Sequence, residues 1–182
     1  MSKKNICLYG AASSNIDDRF LQEGERLGKE IGRRGHALIY GGGATGMMGA
    51  CAEGVYSAGG DLTGVAPSFM SEYELLNTDK GRLIFTKTMD ERKKIMEDMA
   101  DAFIICPGGI GTMDEFFQIL ALVSLNRKIA PIILYNIDGY YDDLISFINQ
   151  AIKKGFIRAG VKNLFQVSSS PEDALNSIEY FS

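Results

Sequence analysis

Two ionisable residues of opposite sign occupy positions where apolar side chains are expected. In a helix predicted from Met89, Arg92 projects into the apolar stripe at about 100° per residue. Glu115 projects above Ile119 and Leu122 in a segment that is apolar almost all round. A buried charge costs several kcal/mol unless it is paired or bound to a ligand. Arg92 and Glu115 are therefore candidate catalytic residues, and a structural ion pair is the alternative for the arginine.

Helix capping is the alternative explanation for Glu115. The sequence Thr112-Met-Asp-Glu115 matches the capping box S/T-x-x-E/Q, in which both side chains only satisfy backbone N–H groups. If Glu115 instead lies buried in the first turn, we expect the helix N-terminus to hold it ionised. A carboxylate beside a guanidinium, with no activated serine or cysteine, suits cleavage of a nucleotide through an oxocarbenium-like ribosyl cation.

Three glycine-rich turns each follow a short apolar run and precede an amphipathic stretch. Glycine lets the backbone approach an anion closely, and the next helix start offers free N–H groups and the positive end of a dipole. In an open parallel sheet such turns lie at the carboxyl edge, where ligands bind. The set predicts a phosphorylated ligand, with purely structural turns as the alternative, and consists of Gly10–Ser14, Gly41–Gly46 and Pro107–Thr112.

The second of these turns formally matches a dinucleotide fingerprint. Gly41–Gly46 reads G-x-G-x-x-G, and Asp61 lies where a ribose-binding acid would be expected. However, the match falls in the second strand–helix unit, whereas a Rossmann domain carries it in the first. An NAD-dependent oxidoreductase is therefore a weaker alternative, and the chain has no Walker-type phosphate loop.

Short apolar runs alternate with helical patterns along the whole chain, which predicts one α/β domain over residues 1–182. We expect a doubly wound, mostly parallel sheet with helices on both faces and a lid-like excursion at 67–81. The predicted strands are Ile6–Tyr9, Ala37–Tyr40, Leu62–Ala66, Leu83–Phe85, Ala102–Cys106, Pro131–Tyr135 and a weak Leu164–Val167. The predicted helices are Asp17–Arg34, Met47–Ala58, Met89–Ala100, Thr112–Leu125, Tyr140–Lys154 and Pro171–Tyr180.

The composition excludes several classes of protein. With 182 residues, 46% hydrophobic and 23% charged, the chain is neither disordered nor dependent on disulfides. A net charge of −4 argues against a sequence-independent nucleic-acid binder. Three cysteines without ligand spacing and a lone His36 predict no metal site, and no apolar run is long enough to span a membrane. We expect reduced cysteines and a cytoplasmic protein.

Several long motifs resemble the LOG (Lonely Guy) family, the cytokinin riboside 5′-monophosphate phosphoribohydrolases. The resemblance extends along almost the whole chain. The family's M-x-x-R-K motif appears as Met89–Lys93, and its P-G-G-x-G-T-x-x-E motif appears as Pro107–Glu115. Its Y-G-G-G-x-x-G-[LM]-M-G motif matches Tyr40–Gly49, and the stretch Asn136–Tyr141 is also similar.

The resemblance implies a modified Rossmann fold, a homodimer, and hydrolysis of the N-glycosidic bond of a purine nucleoside 5′-monophosphate without a cofactor. The substrate would be AMP or an N6-modified AMP such as a cytokinin riboside monophosphate. By motif position, Arg92 and Glu115 correspond to the catalytic pair. The positions expected to contact substrate or phosphate are Ser14, Gly42, Gly43, Glu74, Met89, Lys93, Gly108, Gly109, Ile110, Gly111, Thr112 and Asp114.

The chain departs from the family pattern in ways that leave the preferred base open. Asp90 stands where the family often has histidine, and Asp114 stands where glutamate is common. The first glycine turn reads Gly-Ala-Ala-Ser-Ser at Gly10–Ser14, where Gly-Ser-Ser is more usual. A non-catalytic nucleotide-binding protein is the main alternative function. Some family members carry a lysine-decarboxylase label, but no lysine here has the setting of a pyridoxal phosphate site. A dimer would cover apolar faces that one sheet cannot, at Phe116, Phe117, Leu120 and Leu122–Leu125.

Overall fold

The computed structural model describes residues 2–181 and contains one sheet of seven strands, whose neighbours are all parallel. The strands are β1 (Asn5–Tyr9), β2 (Ala37–Tyr40), β3 (Leu62–Pro67), β4 (Arg82–Thr86), β5 (Ala102–Ile105), β6 (Ile132–Tyr135) and β7 (Gln166–Ser168). Their spatial order is β4-β3-β2-β1-β5-β6-β7. The expected sheet is therefore confirmed, and within the described residues it is parallel throughout.

Six helices cover the sheet in two layers, as the doubly wound prediction requires. They are α1 (Asp18–Arg33), α2 (Gly46–Ser57), α3 (Met89–Met99), α4 (Ile110–Ser124), α5 (Asp142–Lys153) and α6 (Pro171–Glu179). Apolar residues of α1, α2 and α6 form one core cluster on the sheet, and those of α3, α4 and α5 form the other. Short 3₁₀ helices occupy Ser68–Glu72, Ile137–Gly139 and Ala159–Asn163.

The central strands are apolar without alternation because both of their faces are covered. Residues of β1, β2, β5 and β6 are almost completely buried. At the edge of the sheet the apolar pattern predicts the strand bounds poorly. The predicted strand Leu164–Val167 is wrong, since β7 is Gln166–Ser168 and begins two residues later. Leu164 instead ends the preceding 3₁₀ helix, where its N–H group bonds to the Val161 carbonyl.

The direction of chain winding reverses between β1 and β5. The connections through α1 and α2 move towards β4, whereas those through α4 and α5 move towards β7. The loops after β1 and β5 therefore diverge at the carboxyl edge and leave a crevice, which is where open α/β sheets bind ligands.

Groups outside this crevice have ordinary structural surroundings. The three cysteines are free and buried, and His36 is buried between the Lys4 N–H group and Glu179. Within residues 2–181 there is no cluster of potential metal ligands. None of the described helices is both long enough and apolar enough to pass through a membrane.

Candidate active site

The structure brings Arg92 and Glu115 together at the crevice. Arg92 Nη1 donates to Glu115 Oε1 over 2.7 Å, and Arg92 Nε donates to the Val65 carbonyl over 3.1 Å. Arg92 is 8% exposed and Glu115 is 7% exposed. The two side chains come from α3 and α4, so the topology of the sheet, rather than sequence proximity, creates this buried ion pair.

The capping-box interpretation of Glu115 is wrong. Gly109 is the N-cap of α4 in an extended conformation and makes no side-chain cap, so the helix begins two residues before Thr112. Both residues therefore lie inside the helix, and Glu115 falls in the second turn rather than the first. Its carboxylate is bonded to the guanidinium of Arg92 and to no backbone N–H group of the described residues.

Burial raises the pKa of Glu115 to about 7, although Arg92 and Lys93 favour the ionised form. The expectation that a helix N-terminus holds this carboxylate ionised is thus corrected: in the second turn the helix dipole is weak, and loss of hydration dominates. A carboxyl group with a pKa near neutrality is suited to exchange a proton during a reaction.

The ion pair faces a cavity of about 320 Å³. One wall is the turn after β1, another is the start of α4, and a third comes from the excursion between β3 and β4, which supplies Met70 and Glu74. Glu74 is half-buried, and burial raises its pKa against the opposing effect of Arg92. The complete lining is Gly10, Ala11, Ala12, Ser13, Met48, Met70, Glu74, Met89, Arg92, Gly109, Gly111, Thr112 and Glu115.

The turn after β5 offers a row of unused backbone donors beside this cavity. Among the described residues, the N–H groups of Gly108 to Thr112 have no acceptor within hydrogen-bonding distance, whereas the next, that of Met113, bonds to the Gly109 carbonyl. Gly108 is required here, because a Cβ atom would lie 2.1 Å from Thr112 Oγ1. Consecutive free N–H groups at a helix start form an anion-binding site.

The turn after β2 has a different role from the phosphate cradle expected of it. A Cβ atom on Gly41 would lie 2.3 Å from Arg92 Nη2, so this glycine makes room for the guanidinium. The Gly42 carbonyl accepts from the Asn77 N–H group, and Gly43 forms an antiparallel bridge with Leu76. Gly42 and Gly43 do not line the cavity; they anchor the segment that carries Glu74.

The other predicted positions lie at the rim or outside it. Lys93 Nζ donates to Asp114 Oδ2 over 2.9 Å, and neither residue lines the cavity. Ile110 is 88% exposed, and Ser14 is exposed and outside the cavity. Gly109, Gly111, Thr112, Met89 and Glu74 do line it, while Gly108 lines an adjoining cavity.

Sequence reasoning did not single out Met48 and Met70, and of the pair Ser13 and Ser14 it selected Ser14, whereas Ser13 lines the cavity. Met48 and Met70 carry no signal of their own, because apolar residues in helices are typical of a core. Only the position of the segments around the crevice shows their part in the site.

The chain is similar to known proteins over most of its length. A family model described as possible lysine decarboxylase matches residues 48–178. The chain is 32% identical over 179 residues to a probable cytokinin riboside 5′-monophosphate phosphoribohydrolase of Oryza sativa subsp. japonica, covering 98% of this chain and 73% of the relative. It is also 32% identical over 178 residues to a cytokinin riboside 5′-monophosphate phosphoribohydrolase of Arabidopsis thaliana, covering 98% and 78%.

Solved structures share the fold. The molybdenum cofactor binding protein of Rippkaea orientalis superposes with a TM-score of 0.73 at 25% identity, covering 98% of this chain and 97% of that one. The molybdenum cofactor carrier protein of Chlamydomonas reinhardtii gives 0.71 at 21% identity, covering 99% and 98%. The sequence relatives and the family model together establish that the chain belongs to the LOG family.

Proposed function

We propose that the protein is a phosphoribohydrolase that cleaves the N-glycosidic bond of a purine nucleoside 5′-monophosphate. The substrate is AMP or an N6-modified AMP such as a cytokinin riboside monophosphate, and the products are the free base and ribose 5-phosphate. The observation that carries this proposal is the buried Arg92–Glu115 pair in a cavity whose edge presents five consecutive unused N–H groups. The names of the sequence relatives support the same reaction.

The 5′-phosphate binds at the start of α4. The free N–H groups there, the Thr112 hydroxyl and the positive end of the helix dipole all favour an anion. Binding at this remote group fixes the ribose over the Arg92–Glu115 pair, so that part of the binding energy aligns the bond that breaks. Glu74, which has no side-chain partner among the described residues, is placed to accept hydrogen bonds from ribose hydroxyls.

Glu115 in its ionised form stabilises positive charge on the ribosyl ring and takes a proton from the attacking water. The hydroxyl of that water forms a bond to C1′, the bond from C1′ to the base nitrogen breaks, and the base leaves with the electron pair. The proton of the water finally reaches the base, so that the reaction is a hydrolysis. Arg92 orients the carboxylate through its bond to Oε1, and its guanidinium, which lines the cavity, orients the substrate and assists the leaving base.

The residues of the cavity do not fit pyridoxal phosphate. A decarboxylase of that type needs a lysine to form a Schiff base with the cofactor. Within the described part of the chain no lysine lines the cavity, and Lys93 at its rim is paired with Asp114. The described residues of this cavity therefore do not support decarboxylation through that cofactor.

Release of free base from AMP tests the proposal. We expect Glu115→Gln to lower kcat by about 10³-fold, since the amide cannot accept a proton. Glu25→Gln, on the exposed side of α1, is the matched control and should retain full activity. The wild type should be assayed with AMP, GMP, CMP and N6-isopentenyl-AMP to define the preferred base.

Two outcomes would overturn the proposal. Full activity in Glu115→Gln would exclude the chemistry assigned to the carboxylate. Tight binding of AMP by the wild type without release of any base would identify a nucleotide-binding protein that does not catalyse hydrolysis.

The same proposal includes a cytoplasmic homodimer. Of the residues expected to need a partner, Phe116 and Leu120 are buried within one chain, whereas Phe117 and Leu125 of the same helix region remain exposed. A second copy that covers these side chains would remove apolar surface from water. Sedimentation at micromolar concentration measures the association, and a monomer would contradict it.

A further inference from the structure

Every carbonyl group of the turn after β5 has a fixed donor. The phenol hydroxyls of two adjacent tyrosines supply two of these bonds, and backbone N–H groups supply the others. The bonds run to Cys106 O from the Tyr141 hydroxyl (2.5 Å), to Pro107 O from the Ala11 N–H group (3.1 Å), to Gly108 O from the Tyr140 hydroxyl (2.7 Å) and to Gly109 O from the Met113 N–H group (3.1 Å).

The direction of a carbonyl group fixes the direction of the N–H group in the same peptide unit. In a trans peptide the two point to opposite sides, and the described residues contain no cis peptide bond. Because Tyr140 holds the Gly108 carbonyl, the N–H group of Gly109 must point away from that tyrosine. Gly109 also lines the cavity that holds Arg92 and Glu115.

The bond from Tyr141 has no such consequence. It holds the Cys106 carbonyl, and the nitrogen of that peptide unit belongs to Pro107, which has no hydrogen to donate. Tyr140 and Tyr141 thus make chemically equal bonds to the same turn, but only the bond from Tyr140 orients a donor for an anion.

Tyr140 is itself held in place by its loop. The preceding residues Asp138 and Gly139 adopt positive φ angles of 50° and 73°, and Asp138 pairs with Arg19 at 2.6 Å. The ring of Phe20 meets the Tyr140 ring edge-on, with centroids 6.0 Å apart. Asn136 Oδ1 accepts from the Tyr141 N–H group, which closes the turn. The phenol hydroxyl therefore reaches the turn after β5 from a defined direction.

We propose that Tyr140 is a positioning residue that keeps the Gly109 N–H group directed at the phosphate of a phosphate monoester ligand, through its hydrogen bond to the Gly108 carbonyl. The proposal rests on the proposed function, because it takes the 5′-phosphate of the substrate as that anion. Tyr141 stabilises the fold and does not affect phosphate affinity directly.

Titration calorimetry with ribose 5-phosphate and AMP compares Tyr140→Phe with Tyr141→Phe, the AMP titrations being made in a Glu115→Gln background in which hydrolysis is slow. We expect Tyr140→Phe to raise the Kd of both ligands about 10-fold, since one charge-assisted hydrogen bond loses its fixed donor. With AMP as substrate, KM should rise by a similar factor while kcat stays within about 3-fold. Tyr141→Phe should lower Tm and leave both Kd values within about 2-fold of the wild type.

Unchanged Kd values in Tyr140→Phe would overturn the positioning role. Equal increases of Kd in the two variants would also overturn it, because loss of either hydrogen bond would then disturb the whole turn in the same way. The binding measurements separate this proposal from the proposed function. If the wild type binds both ligands without releasing base, hydrolysis is excluded while the comparison of the tyrosines still stands. If the wild type binds neither ligand, both proposals fail.

Discussion

Two arginine–glutamate clusters, each built around a buried glutamate, lie at opposite edges of the sheet and differ in how much hydrogen-bonding capacity remains free. At the amino edge, Glu30 accepts three bonds, two from Arg33 and one from Arg34. Arg34 also bonds to Glu179, whose other oxygen bonds to the buried His36. The cluster at the carboxyl edge has one bond between its ions, from Arg92 Nη1 to Glu115 Oε1.

The pKa values of the two glutamates move in opposite directions as a result. Hydrogen bonds from Arg33 lower the pKa of Glu30 to about 2. Burial raises the pKa of Glu115 to about 7, because a single arginine does not replace the lost hydration. Among the described residues no fully buried polar side-chain atom lacks a partner, so the unused oxygen of Glu115 is open to the cavity. A saturated cluster stabilises a fold, whereas an unsaturated one can bind a ligand.

Removing one arginine from each cluster should give the largest difference between the two clusters. We expect Arg92→Ala to lower kcat/KM for AMP by roughly 10³-fold, because Glu115 loses its cation and its pKa rises further. Arg34→Ala is the matched variant at the amino edge and should reduce Tm while leaving kcat/KM within about 2-fold. Base-release kinetics and thermal unfolding measure both, and equal losses of activity would remove the distinction between the clusters.

The pH dependence of hydrolysis tests the raised pKa of Glu115. If ionised Glu115 is required, activity increases as the pH rises through about 7 and falls below it. At pH 5 kcat should be about 100-fold below its plateau, since each pH unit removes about nine-tenths of the ionised form. Glu74→Gln should retain this pH transition, because the group that titrates is Glu115 and not Glu74. A flat kcat profile from pH 5 to 8 would contradict the assignment.

The dependence of stability on pH in acid tests the lowered pKa of Glu30. Its pKa in the folded protein is below the ordinary value of 4.5, so its contribution to the free energy of unfolding is complete above that value and disappears as the pH falls towards about 2. We expect Glu30→Gln to lower the free energy of unfolding by about 2 kcal/mol at pH 7 and by less than half of that at pH 3. Urea denaturation at the two pH values measures this, and an equal loss at both would contradict it.

Much of the fold could be predicted from the sequence, because strands that are buried on both faces are apolar at nearly every position. The apolar runs of β1, β2, β5 and β6 have few alternatives, and the helices between them are amphipathic or apolar. The signal weakens at the edge strand β7, which is short and partly exposed. Helix starts were harder: Thr112 offered a familiar cap, but the glycines before it allowed α4 to begin at Ile110.

Part of the candidate site could be predicted, because two charged residues occupy helix positions where the surrounding pattern favours apolar ones. Arg92 and Glu115 stood out for that reason, and the structure places them in contact. The role of the turn after β2 could not be predicted from the sequence. This turn makes room for the guanidinium because Arg92 packs against Gly41, which is far away in the sequence. The same holds for Tyr140, whose bond to Gly108 joins two loops that only the sheet brings together.

The contact between Gly41 and Arg92 makes the position of the guanidinium depend on the size of one residue. A single methyl group at position 41 would overlap the guanidinium, so the end of the arginine side chain would have to shift. The turn after β5 makes no use of this contact and would keep its free N–H groups. The smallest amino acid on one turn therefore sets how the cation reaches the carboxylate, independently of the anion-binding turn.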